Sequence, residues 1–219
     1  MPEPRGWHSR GYLPHFEGGQ VVQSITFRLH GTLPGDLLDR WRRDAQRLDE
    51  RQRAGFVAER VERWLGQGHG EPLLAQPGVA ALVEQALLWA DGSRYALYAW
   101  VVMPNHVHVL MSPRAGHEVS RLVQSWKGYS ARRINELLGR SGALWQPDYY
   151  DRYIRDGRHF DAELAYIEAN PVKAGLCETS DGWRFGSAWW RAGAPSLGPA
   201  DAGLADLEVR APSEEEARW

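Results

Sequence analysis

Residues 95–111 read YALYAWVVMPNHVHVLM. Tyr95 to Met103 is the longest apolar stretch of the chain, and a second β-rich run, His106 to Met111, begins after only Pro104 and Asn105. Two such runs joined by so short a connection predict an antiparallel hairpin. Their apolar density predicts two central strands of a sheet.

The surroundings extend the pattern. Val21 to Leu29 sets Val21, Ile25, Phe27 and Leu29 mostly opposite Val22, Ser24, Thr26 and Arg28, which reads as a half-buried strand. From Asp36 to Leu65 the chain is dense in Arg, Asp and Glu, with Leu38, Trp41, Leu48, Phe56, Val57, Val61 and Trp64 near helical spacing. Val79 to Ala90 repeats that pattern and stops near Gly92, so two or three helices are expected, separated by a loop at Gly66 to Pro77. Val119 to Leu138 reads as a helix ended by Gly139, and Tyr149 to Arg155 alternates as a further strand. The order β, α, β, β, α, β predicts an α+β fold of the ferredoxin-like kind, an antiparallel sheet with its helices on one face. A C-terminal helix is expected from about Arg158 to Asn170, started by Asp156 and stopped by Pro171.

A chain of 219 residues, 43% hydrophobic, fits one core, so 1–190 is read as a single domain with a helical insert at about 36–90. The remainder, 191–219, reads as a disordered acidic tail. The formal net charge is -2, but the tail holds Asp201, Asp206, Glu208, Glu214, Glu215 and Glu216 against three arginines, and without it the chain is +1. Net charge therefore neither supports nor excludes a nucleic-acid partner. Cys177 is the only cysteine, which excludes an intrachain disulfide, a zinc ribbon and a thiol redox pair. No apolar run approaches the roughly 20 residues that span a bilayer, and Met1 to Arg10 lacks a signal-like apolar stretch. A soluble protein of the reducing cytoplasm, with no membrane partner, is expected. The eleven tryptophans read mainly as packing residues.

His106 and His108, two apart on a strand, share one face while Val107 and Val109 turn to the other, and two imidazoles so placed can grip one metal ion. Buried, hydrogen-bonded histidines fit the same spacing. On the last helix Phe160, Leu164 and Ile167 form an apolar face, beside a polar stripe of His159, Glu163, Tyr166 and Asn170. If that stripe faces the histidines, Asn170 can lend an amide oxygen as third ligand and Tyr166 can present its phenol beside the metal. Spacing alone favours the plainer account, in which Tyr166 is a core tyrosine and Asn170 a helix cap. Three neutral ligands would leave the ion's charge uncompensated, which suits a phosphodiester, and would admit Mg²⁺ or Mn²⁺ without excluding Zn²⁺.

The ordered set of Val101 to Leu110 with its MPNHVH core, Ser125-Trp126-Lys127-Gly128, Trp145, Gln146, Tyr150, Asp151, Arg152, Ile154, Arg155, Tyr166, Ile167 and Asn170 to Leu176 resembles the REP-associated tyrosine transposases. These are members of the HUH superfamily of single-tyrosine transposases, and the resemblance covers about Arg10 to Trp190. It implies a ferredoxin-like catalytic core that binds single-stranded hairpin DNA, nicks it and attaches the 5′ phosphate to tyrosine. By position it makes Tyr166 the nucleophile, His106 and His108 metal ligands and Asn170 the third ligand, which overturns the preference from spacing. The insert at 36–90 is larger than a minimal core of this fold requires.

Arg121, Lys127, Arg132 and Arg133, interleaved with Trp126 and Tyr129, form a candidate phosphate-tracking surface, and Arg152, Arg155 and Arg158 add charge before the tyrosine helix. Lys127, Arg132 and Arg155 are the expected backbone contacts, and Gly11 to Phe16 is a candidate DNA-reading arm. Three other readings fit parts of the pattern: a domesticated hairpin-binding protein that does not cut, a replication initiator or relaxase, and a phosphodiesterase that uses water. The helix carries one tyrosine rather than the pair common in initiators and relaxases. Monomer and homodimer both remain open.

Overall fold

The hairpin expected at 95–111 forms in the computed structural model, which describes residues 6–9, 14–17 and 19–193. In chain order the elements are a small hairpin of β1 (Gly6–Ser9) and β2 (Pro14–Glu17), strand β3 (Gln23–Arg28), and helices α1 (Gly35–Ala45), α2 (Glu50–Gly66) and α3 (Pro77–Leu88). Strands β4 (Tyr95–Val102) and β5 (His106–Pro113), helix α4 (Val119–Leu138), strand β6 (Tyr150–Tyr153), and helices α5 (Gly157–Lys173) and α6 (Ser187–Arg191) follow. The stretch read as a loop at 66–77 includes a 3-10 turn, Leu73–Ala75. The reading of 191–219 as a tail lies outside the described residues from 194 onward, and so do Gly11 to Leu13 of the candidate arm.

The main sheet runs β4-β5-β3-β6 with every pair antiparallel, which is the ferredoxin-like order for a βαββαβ chain. One face carries Ile25, Phe27, Val107, Val109 and Met111, all at most 1% exposed, against Val79, Val83 and Leu87 of α3 and Leu122, Val123 and Trp126 of α4. Each such side chain stabilises the fold by about 1.5–3 kcal/mol relative to exposure. On the opposite face Ala99, Val101 and Leu110 pack with Ile167 of α5. The two crossover helices thus share one face as expected, and the C-terminal helix covers the other. A third cluster joins Ala45 of α1 to Val57, Val61 and Leu65 of α2, with Leu33 and the β6 residue Tyr150 against it.

Three local expectations are corrected. Every residue of β3 is buried, because α5 and the insert cover the face that carries Ser24, Thr26 and Arg28. Alternation alone shows which residues share a face; it does not show that both faces are covered. Of the two strands expected to be central, β5 is and β4 is not: β4 lies at a sheet edge. Its outer side is sealed by the segment that leads into α6 and by the first residue of that helix, since Val102 N–H donates to the Phe185 carbonyl (2.8 Å), Trp183 Nε1 to the Val102 carbonyl (3.0 Å) and Trp100 N–H to Ser187 Oγ (3.2 Å). This cover explains a central-looking composition at an edge. Finally, Pro171 does not stop α5, which runs to Lys173. Proline removes one donor and leaves the rest of the helix intact. The true stop is Gly175 at φ 69°, where Gly175 N–H returns to the Val172 carbonyl and Leu176 N–H to the Pro171 carbonyl, both at 2.9 Å.

His15 fastens the small hairpin to the β6 edge of the sheet. His15, 2% exposed, donates from Nδ1 to Asp151 Oδ1 (2.5 Å) and from Nε2 to Asp148 Oδ1 (3.0 Å), with its ring 4.4 Å from that of Tyr149. Both nitrogens donate only in the imidazolium form. Burial opposes that form, but the two carboxylates overcome it and lift the pKa from 6.5 to about 9. A histidine whose folded pKa is raised contributes stability that is complete below its unfolded value and lost as pH rises through the folded one. His15→Gln should therefore lower stability at pH 7 by about 1.5–3 kcal/mol, read as a shift in the urea midpoint. The gap to the unmodified protein should shrink as the pH rises through about 9, where the His15 imidazolium loses its proton. An equal gap at pH 7 and well above that value would rule out the charged latch.

Candidate metal and nucleophile site

The floor of the site is set by the pairing of β3 with β5, in which Thr26 lies opposite His108 and Arg28 opposite His106. Directly opposed residues of antiparallel strands project to one side. Thr26 Oγ1 accordingly meets His108 Nδ1 at 2.8 Å. His106 Nδ1 lies 2.6 Å from Asn105 Oδ1, an amide oxygen that can only accept, so the proton is on Nδ1 and the Nε2 lone pair is free to bind. The two Nε2 atoms are 2.9 Å apart, with the rings nearly perpendicular at 86°. Adjacent ligands at ~2.1 Å around a six-coordinate ion are about 3.0 Å apart, so the pair suits a shared divalent metal. A hydrogen bond between the rings satisfies the same separation without one.

Burial holds both rings neutral. His106 is pushed well below its usual pKa by burial and by its neighbour, and His108 is pushed down to about 3 by burial and by the charge of Lys173. Neutral imidazole is the ligand form. Among the described residues no group of three or more His, Cys, Asp or Glu side chains is placed to hold a metal.

Helix α5 forms the roof. Asp156 starts it by accepting from His159 N–H (2.9 Å). The expected stripe does turn inward for Glu163 and Asn170, 5% and 8% exposed, whereas His159 turns back to accept from Arg155 N–H and stays out of the site. The Tyr166 ring stands edge-on to His108, centroids 5.9 Å apart at 82°, and Lys173 Nζ sits 4.3 Å from its centroid. Asn170 Nδ2 donates to the Tyr166 carbonyl at 2.9 Å. The helix therefore brings Tyr166 to His108 and Asn170 to Tyr166.

The Tyr166 hydroxyl donates to Glu62 Oε2 at 3.2 Å, a contact reaching across from α2. Burial, then the Glu62 charge, raise the phenol's pKa above its usual value, while the Asn170 amide acts in the other direction. Burial likewise raises that of Glu62. Glu163 is fixed from two sides, by Ser24 Oγ (2.6 Å) and by Arg152 (2.9 Å).

The expected DNA contacts are dispersed. Lys127 donates to the carbonyls of Gln146 (2.6 Å) and Pro147 (2.8 Å), and burial draws its pKa down to about 8. Arg132 is half-buried on α4, and Arg155 is exposed just before α5. Trp126 and Tyr129 are core residues, Trp126 donating to the Tyr95 hydroxyl at 3.0 Å. Three residues near the site were not legible as such. Arg28 is 5% exposed, with its guanidinium donating to Thr32 Oγ1, and its strand alternation suggested a solvent-facing side chain. Lys173 could have been found seven residues beyond Tyr166 on the same helical stripe. Glu62 carried no signal at all, being one acid among many in a charged insert.

Residues 81–170 match the family model described as transposase IS200 like. A REP-associated tyrosine transposase of Escherichia coli (strain K12) is 29% identical over 108 residues, which is 49% of this chain and 62% of that protein, so the chain spans less than two thirds of its length. A relative from Haemophilus influenzae, named in the same way but provisionally, is 27% identical over 120 residues, 50% of this chain and 68% of its own. A solved REP-associated tyrosine transposase bound to a REP hairpin shares the fold, with a TM-score of 0.50 and 18% identity over 89% of each chain. The stretch that matches the IS200-like transposases holds His106, His108, Tyr166 and Asn170, and the chain is similar to the REP-associated tyrosine transposases in sequence and in fold.

Proposed function

We propose that this chain is a transposase that cuts and rejoins single-stranded, hairpin-forming DNA of the REP type through a 5′-phosphotyrosine link to Tyr166, with residues 1–190 as one catalytic domain. The observation that carries the reading is the edge-on contact of Tyr166 with His108, which sets the one tyrosine of α5 beside two converging imidazoles. The family match over 81–170 supports it, and so does the relative solved with a REP hairpin.

In this reading the Tyr166 oxygen attacks phosphorus, the bond from phosphorus to the 3′ oxygen breaks, and the strand stays joined to the protein by its 5′ phosphate. The phenol gives up a proton and the departing 3′ oxygen gains one, so protons balance over the step. One phosphodiester replaces another, and attack by a 3′ hydroxyl reverses the link without ATP. A divalent ion, Mg²⁺ or Mn²⁺, held by His106, His108 and the Asn170 side chain, would supply the charge that polarises the phosphate. Thr26 and Asn105 orient the imidazoles from behind. Lys173 places a cation over the tyrosine ring where an anionic strand approaches, and Arg132, Arg155 and Lys127 serve phosphates further along it. For Lys127 a phosphate has to compete with two carbonyls.

Labelled hairpin DNA incubated with the protein and Mg²⁺ or Mn²⁺ should give a slow-migrating covalent adduct on a denaturing gel, and Tyr166→Phe should abolish it. Cleavage that survives Tyr166→Phe without adduct would instead identify water as the nucleophile, and binding without cleavage would leave a DNA-binding module. Thr26→Val, which strips His108 of its orienting partner, should weaken Mn²⁺ affinity about 10- to 100-fold in a direct titration. An unchanged affinity would separate the metal from the histidine pair.

A further inference from the structure

Helix α2 of the insert lies outside the stretch that matches the transposase family, yet it reaches the site. Its C-terminal end is tied to the turn that precedes the histidines. Asn105 Nδ2 donates to the carbonyls of Leu65 (3.3 Å) and His69 (2.7 Å), while its Oδ1 accepts from His106. A second tie runs from Trp64 Nε1 to the Thr32 carbonyl (2.9 Å), and His69 stacks on Trp64 at 3.8 Å. Val61 and Leu65, at most 1% exposed, lock the same turn of α2 into the insert's own small core. Glu62 sits on this fastened turn, and its carboxylate meets the Tyr166 hydroxyl.

A phenol anchored only through its ring can still swing about its side-chain torsions. Here the ring has the nearly perpendicular His108 ring beside it, the Lys173 ammonium above it, and the Glu62 carboxylate at the oxygen. The last of these is the one that fixes where the oxygen points, and it comes from a different part of the chain. We infer that Glu62 is a positioning residue: from the insert helix it accepts the hydrogen bond of the Tyr166 hydroxyl and holds the phenol edge-on to the histidine pair. The role rests on the proposed nucleophile. It gives the insert a direct part in the site, with Asn105 orienting His106 and fastening α2 through one side chain.

The test uses the full chain labelled with ¹³C at tyrosine Cζ, with Tyr166→Phe assigning the resonance, beside single-turnover adduct formation on saturating hairpin DNA. Glu62→Ala should shift the Tyr166 resonance and slow adduct formation about 10- to 100-fold, with hairpin affinity within about twofold of the unmodified protein. Glu62→Gln keeps an acceptor oxygen of the same reach and should restore the rate to within a few-fold. An unmoved resonance or an unchanged rate in Glu62→Ala overturns the inference, and so does a Glu62→Gln rate as low as that of Glu62→Ala. If the unmodified protein forms no adduct, the transposase reading falls, and the resonance alone then decides whether Glu62 holds the phenol.

Discussion

The site depends on the register between β3 and β5. With Thr26 opposite His108 and Phe27 opposite Val107, alternate residues of both strands divide cleanly: Ile25, Phe27, Val107 and Val109 go to the core beneath α3 and α4, and Thr26, Arg28, His106 and His108 go to the other side. Side chains on a strand alternate with period two, so a slip of one residue would exchange the two sets, burying imidazoles among aliphatic side chains and exposing the core. The apolar half of the pattern therefore holds the polar half in place. About 1.5–3 kcal/mol for each buried aliphatic or aromatic residue keeps two histidines in a position that burial alone would disfavour.

A polar face buried this fully needs partners, and the partners come from three directions. Thr26 and Asn105 satisfy the outer nitrogens of the imidazoles from the sheet and its turn. Helix α5 brings Tyr166 and Lys173, and its buried Glu163 accepts from Ser24 and pairs with Arg152. Helix α2 adds Glu62. The inner nitrogens face each other across 2.9 Å, the arrangement that a metal or a single shared proton requires.

Much of this was legible in the sequence, for reasons that can be traced. Two histidines separated by one valine have to share a strand face, and Tyr166 and Asn170 have to be neighbours on a helix, whatever surrounds them. The strand and helix order led to the ferredoxin-like sheet, and the match over 81–170 takes in the motifs that carried the resemblance from Val101 as far as Asn170. What stayed hidden is long-range. Glu62 and Tyr166 are 104 residues apart, and nothing in local spacing distinguishes that glutamate from the others in the insert. Arg28 read as solvent-facing because periodicity does not report a second covered face, and β4 read as central because its edge is sealed by chain some 85 residues further on. Lys127 read as a DNA contact by charge, and its hydrogen bonds to two loop carbonyls gave no local signal in the sequence.

The central claim, that a metal on the histidine pair and the phenol of Tyr166 share one site, is tested most directly by paramagnetic broadening. The protein has eight tyrosines, and ¹³Cζ labelling gives each its own resonance. Titration with Mn²⁺ should broaden the Tyr166 line first and beyond detection, and should leave it sharp when His106 and His108 are replaced by alanine. A Tyr166 line that stays sharp at saturating Mn²⁺, or that broadens equally without the histidines, would contradict the account.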